Sequence, residues 1–215
     1  MTGVQTCALP ILRNVDAKLR YEMRLELPSL LKASGSTVLY VTQDYKEAMA
    51  LGDRIAVLSD RDFAQIARPA EIYQKPATIN VASLFGDPTI NLIPVEPLAS
   101  SAGPKIGIGG AALPLPPGYG HMAGKACVLG LRAENIIVED TSSPDRLPVE
   151  VVAVTPLNER TLLLLRTDDG REILASEAGT NEAPRRHGRA FAQFDVEAVL
   201  LFDPASGRRI LPQSA

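Results

Sequence analysis

The feature that most restricts the fold is a change of texture near residue 88. Beyond it the chain passes through NLIPVEP, KIGIGG, ALPLPPG, KACVLGLR, ENIIVED, LPVEVVAV, RTLLLLRT, REILAS, RAFAQFDV and EAVLLFD, short apolar runs separated by Gly, Pro, Asp and Ser. Runs of this length and spacing predict antiparallel strands joined by tight turns, hence a small barrel or sandwich. Asp168-Asp169-Gly170, between LLLLRT and REILAS, reads as a hairpin turn. LLLLR at 162–166 is far too short to span a membrane and reads as a core strand.

Before that boundary the pattern is α/β. Over 16–33, Leu19, Met23, Leu27, Leu30 and Leu31 recur at three- and four-residue steps and predict one helical face, with Pro28 kinking or dividing the helix. Gly35 supplies a stop, and STVLYVT at 36–42 reads as a buried strand. Asp44 stands three residues before Glu47 at the head of YKEAMAL, the spacing of a capping box. DRIAVLS at 53–59 reads as a second buried strand, SDRD as a turn, and the segments after Arg68 and from Thr78 as short helices. The border falls at about 86–92, which divides the chain into 12–88 and 89–215.

Composition narrows the function. A hydrophobic content of 46% with 22% charged residues is that of a globular protein. A net charge of −3 and 5% aromatics argue against a phosphate-backbone partner, so nucleic acid is not expected. Cys7 and Cys127 lie in no metal-type or redox-type spacing, and His121 and His187 read as solvated loop residues, so no metal site is expected.

Two stretches carry the most information, LRNVDAKLRYEMRLEL and STVLYVTQDYKEAMALGDRIAVL. In order and spacing they resemble the D-loop and H-loop region of the ATP-binding subunits of carbohydrate-type ABC importers, the maltose-transporter kind. FAQIARPAEIYQKPATINVASLFGDPTINLIP and GLRAENI extend the resemblance into the regulatory β domain of that family, as far as about Asp203. It implies an α/β remnant of a P-loop ATPase domain over 12–88, followed by an OB-like, TOBE-type barrel over 89–215. It also implies a D-loop at Asn14, Val15 and Asp16, reaching across a dimer interface, although Arg13 stands where the family has serine. Asp16 reads equally well as a plain N-cap of the next helix. At the H-loop position, where the family has histidine, the chain has Gln43.

No phosphate-binding loop, signature motif or magnesium-holding strand end occurs in the sequence. ATP and Mg²⁺ are therefore expected in the full-length subunit, while this chain alone is expected neither to bind ATP tightly nor to hydrolyse it. Residues 1–11, MTGVQTCALPI, lack the basic start and unbroken apolar run of a secretory signal. Reading GTG as a start codon, they match the translation of a common sequencing-library adapter and are expected to be an assembly artefact. The partners implied are a second ATP-binding subunit and transmembrane permease subunits, at the cytoplasmic face of a bacterial inner membrane. Gln43 favours a heterodimer in which the other subunit keeps its histidine. The imported solute would be a sugar, polyol or glycerol-phosphate-like compound. A second reading, from another class, is a stand-alone OB-like barrel that binds a small ligand or regulatory partner without catalysis.

Overall fold

The computed structural model describes Glu26, Ser29, Leu30, Ala33, Gly35 and residues 37–179 and 188–213. Asn14, Val15, Asp16, residues 1–11 and His187 lie outside these. The chain falls into two compact units, one reaching to Ile55 together with Ala67–Pro69, the other made of Ala56–Ile66 and the residues from Ala70 onward.

In the first unit, Glu26, Ser29, Leu30 and Ala33 are helical, and helix α1 spans Tyr45–Leu51. Asp44 caps α1, its side chain accepting from the Lys46 amide at 2.8 Å. The expected strand at 36–42 does not form over the described residues 37–42. Its period of two survives without a ladder. Leu39 and Val41 are 90% and 87% exposed, whereas Tyr40 and Thr42 turn the other way toward Glu47. A strand needs a neighbour to take its N–H and C=O groups, and no described strand pairs with this run.

Apart from Ile55 and Ala67, the strand residues lie in the second unit. β1 (Ile55–Ser59) and β2 (Asp62–Ala67) form a hairpin whose loop places Asp60 and Arg61 at φ 51° and 68°, a two-residue turn with both residues left-handed. β1 is half-buried, not fully buried as expected: Ile55 and Val57 point inward while Leu58 faces out. Helix α2 (Pro69–Gln74) starts on proline, and α3 (Ile79–Leu84) is capped by Thr78, whose hydroxyl accepts from Val81 N.

Every apolar run beyond residue 90 contributes a strand. β3 (Asn91–Val95), β4 (Lys105–Ile108), β5 (Ala111–Pro114), β6 (Cys127–Leu131), β7 (Ile136–Glu139), β8 (Leu147–Pro156), β9 (Arg160–Thr167), β10 (Glu172–Ala178), β11 (Gly188–Phe194), β12 (Leu200–Phe202) and β13 (Arg209–Ile210) follow in order. The β8–β9 and β9–β10 pairs are antiparallel, with a bulge in β8 between Val151 and Ala153. The five-stranded sheet runs β10-β9-β8-β11-β7 and curls so that β10 approaches β7. A second sheet, β13-β12-β6-β3, and the β4–β5 hairpin complete the domain. One core joins them, with Ile93, Leu129, Leu131, Ile136, Leu147, Leu163, Leu165, Ile173 and Leu201 all at or below 3% exposure. β12 is buried on both faces, because Leu200 and Phe202 pack with Ala82 and Ile90 in a smaller cluster behind it. The result is a nearly closed, OB-like all-β domain: of the barrel or sandwich that the strand spacing predicts it is the barrel, and its OB-like form is the one the family resemblance implies.

Candidate functional site

Gln43 sits in a bend between the extended run and α1, and it is exposed. The bend is held from both sides. Thr42 Oγ1 donates to Glu47 Oε2 at 2.6 Å, Tyr40 Oη donates to the same oxygen at 3.0 Å, and Asp44 N donates to Thr42 Oγ1 at 3.0 Å. The Asp44/Glu47 spacing thus yields half of a capping box. Asp44 caps the helix, but Glu47 binds two hydroxyls instead of the Asp44 amide. Glu47, 7% exposed, fixes the backbone on which Gln43 is presented, and its role was not apparent in the sequence. The Gln43 amide is left facing outward with donor and acceptor capacity toward a polar group, but it cannot exchange a proton near neutrality as imidazole can.

Within the barrel unit, the polar anchor is Arg132, at the end of β6 and only 4% exposed. Nη1 donates to the Phe85 carbonyl and Nη2 to the Tyr73 carbonyl, each at 2.7 Å, and the guanidinium stacks on the Tyr73 ring at 3.7 Å. These carbonyls lie at the C-terminal ends of α3 and α2, where helices leave acceptors unsatisfied and partial negative charge accumulates. Tyr73 Oη in turn donates to Glu134. Burial lowers the pKa of Arg132, while Tyr73 and Glu134 act to raise it. Gly86 is required beside it, since a Cβ there would lie 2.9 Å from Arg132 Nη1. GLRAENI was singled out in the sequence, but the task of Arg132 becomes visible only when two helix ends arrive.

Other titratable groups are structural. Cys127 is buried, and desolvation pushes its thiol up to about 11. Tyr119 nearby is raised by burial, against the opposing influence of Arg209. Asp169 is held below the usual carboxylate range, first by the Thr167 hydroxyl, then by Gly109 N and Arg171. His121 lies in a short 3-10 helix, half-buried, with Nδ1 3.0 Å from the Gly118 carbonyl. Among the described residues no His, Cys, Asp and Glu side chains gather in a metal-binding group, and no helix is long and apolar enough to cross a membrane.

A family model described as "TOBE domain" matches residues 129–202. Over 200 residues the chain is 36% identical to the sn-glycerol-3-phosphate import ATP-binding protein UgpC of Cereibacter sphaeroides, covering 93% of this chain and 54% of that protein. The protein of the same description from Escherichia coli O157:H7 is 34% identical over 206 residues, covering 93% and 55%. A solved structure of the cytoplasmic molybdate-binding protein ModG with molybdate bound aligns at TM-score 0.41 and 16% identity, over 53% of this chain and 96% of that one, a likeness too loose to carry an argument. The chain spans about half the length of the curated relatives it matches. The chain is thus similar along 93% of its length to UgpC-type import ATP-binding proteins, and residues 129–202 match the TOBE domain.

Proposed function

We propose that this chain is part of the ATP-binding subunit of an ABC importer for a glycerol-phosphate-like, sugar or polyol solute. The single observation behind this reading is that similarity to sn-glycerol-3-phosphate import ATP-binding proteins runs through 93% of the chain, on both sides of residue 88. Residues 12–88 are then the closing segment of an α/β nucleotide-binding domain, and 89–215 its regulatory barrel. Asn14, Val15 and Asp16 form the D-loop at the dimer interface. ATP and Mg²⁺ belong to the full-length subunit, which works at the cytoplasmic face of the membrane with permease partners and a second ATP-binding subunit.

Gln43 is the residue that faces the transferred phosphoryl group in this reading. Its amide donates one neutral hydrogen bond where the family's imidazole would act. Loss of a positioned electrostatic contact at such a point costs on the order of 10²-fold in rate. The subunit therefore pairs with a different ATP-binding subunit that carries histidine, and the two nucleotide sites turn over unequally.

The test is reconstitution of the full-length subunit with its permeases in proteoliposomes, with ATP hydrolysis measured as glycerol 3-phosphate-loaded binding protein is added. Stimulated turnover is expected, and Gln43→His should raise the rate of the subunit when it is the sole ATPase present. Full coupled turnover by the unaltered homodimer, unchanged by Gln43→His, would dispose of the unequal-site idea. A genomic in-frame stop just upstream of the Leu12 codon would overturn the importer reading and leave that of a stand-alone barrel.

A further inference from the structure

β3 and β10 are the free edges of two different sheets, yet their residues share one core. No backbone ladder joins them. Two hydrogen bonds from a single side chain do so instead, and a third ties that side chain to β6 of its own sheet. Asn91 Nδ2 donates to the Leu174 carbonyl at 2.8 Å, Asn91 Oδ1 accepts from Leu174 N at 2.7 Å, and Nδ2 also donates to the Leu131 carbonyl at 3.0 Å. The primary amide has the same donor and acceptor pair as a peptide group. It stands in for one rung of an antiparallel ladder, meeting both backbone groups of Leu174.

Further along β3, a proline explains why a side chain is needed. Pro94 has no N–H to offer a neighbouring strand, and proline in a sheet is confined to such edges. Its carbonyl accepts from Arg171 Nη1 at 3.0 Å, and Arg171 Nε pairs with Asp169 at 3.1 Å. Asp169 also accepts from Gly109 N at 3.4 Å, at the turn between β4 and β5. Along this line every polar link described between β3 and the β9–β10 hairpin ends on a side chain of Asn91 or Arg171.

We infer that the β3–β10 line is a side-chain latch in the barrel, closed by Asn91, at which the domain opens locally without breaking a backbone ladder. Such an opening frees the edge of β10 at Leu174 and gives water a path toward Ile93, Leu131 and Ile173, all buried when it is closed. β8 and β9, each flanked by strands on both sides, stay intact.

Native-state hydrogen exchange on the full 215-residue chain in low urea tests this. In the unaltered protein, Leu174 N–H is expected to exchange through an opening with a small urea dependence, whereas β9 amides such as Leu165 exchange only by global unfolding. Asn91→Ala should speed Leu174 exchange at least ~10-fold beyond any change at Leu165, since a lost, half-buried hydrogen-bond set is worth about that factor. Asn91→Asp, which keeps an acceptor for Leu174 N but sets a carboxylate against two carbonyls, should open the latch further than alanine does. If Leu174 and Leu165 follow one urea dependence in the unaltered protein, or quicken equally in both variants, Asn91 contributes only to global stability and the latch is refuted.

Discussion

Replacing Arg132 by alanine is the sharpest perturbation of this fold. The side chain is 4% exposed, and its fork donates to the Phe85 and Tyr73 carbonyls at 2.7 Å each. Truncation takes the donor from the buried Phe85 carbonyl, at about 1–3 kcal/mol, and from the half-buried Tyr73 carbonyl, at less. It also removes the 3.7 Å stack on Tyr73, worth about 0.5–2 kcal/mol. Against this, the folded state no longer has to desolvate a guanidinium, the same penalty that lowers the arginine's pKa. The net loss should be about 3 kcal/mol, on the order of 10²-fold in the folding constant. Arg132→Lys should lose about 1–2 kcal/mol, because one ammonium cannot serve both carbonyls in a plane and stack as well. Urea denaturation followed by far-UV circular dichroism would show this as a shift of about 1.5 M in midpoint for alanine, taking a slope of about 2 kcal/mol/M. A shift below about 0.3 M, or lysine equal to arginine, would refute the view that the planar fork holds the helix ends.

Gly130→Ala should destabilise by about 1–3 kcal/mol, read in the same denaturation assay, since its Cβ would lie 2.8 Å from the Phe202 ring and 3.1 Å from Ile90 Cδ1. In a Cys7→Ser background, Cys127 should resist thiol reagents at pH 8 until the protein unfolds, because burial lifts its pKa to about 11; fast labelling of native protein would contradict this. The same shift makes its contribution to stability constant below pH ~8.5 and lost as pH rises toward the folded value. The pKa of Asp169 is lowered in the folded state, so its carboxylate stabilises fully above pH ~4 and that contribution is lost as pH falls through the lowered value. A melting-temperature series from pH 6 to 2.5 should show a shallower acid slope for Asp169→Asn, and an unchanged slope would show that Thr167 and Gly109 do not hold the charged form.

The strands were legible in the sequence because a half-buried antiparallel strand is written locally, in alternation and in flanking turn residues. Thus Asp168-Asp169-Gly170 does form the β9–β10 turn, with Gly170 at φ 84°. The run at 36–42 has strand-like composition, but whether such a run forms a ladder depends on a neighbour that its own residues do not encode. Asn91 was illegible for a different reason. At the head of the apolar run NLIPVEP it shows only as a strand residue, and its partner Leu174 is 83 residues away in sequence. Glu47 was read as a capping residue because the spacing to Asp44 is correct, and the two hydroxyls that capture it lie upstream of the cap.

The three residues Gly130, Leu131 and Arg132 draw these threads together, and they explain why GLR carries so much information at the end of one short strand. Gly130 must lack a side chain so that Phe202 and Ile90 can lie against β6, which joins the barrel to its smaller rear cluster. Leu131 fills the main core with its side chain while its carbonyl accepts from Asn91, so it stands at the latch between β3 and β10. Arg132 then leaves the sheet and collects the ends of α2 and α3. Three neighbours on one strand end therefore face three different structural boundaries. Each demands a different chemistry: no side chain, an apolar side chain, and a planar cation. Conservative replacement fails at each position for a separate physical reason: Gly130→Ala presses a methyl group against Phe202 and Ile90, whereas Arg132→Lys gives up a planar fork that serves two carbonyls and stacks on Tyr73.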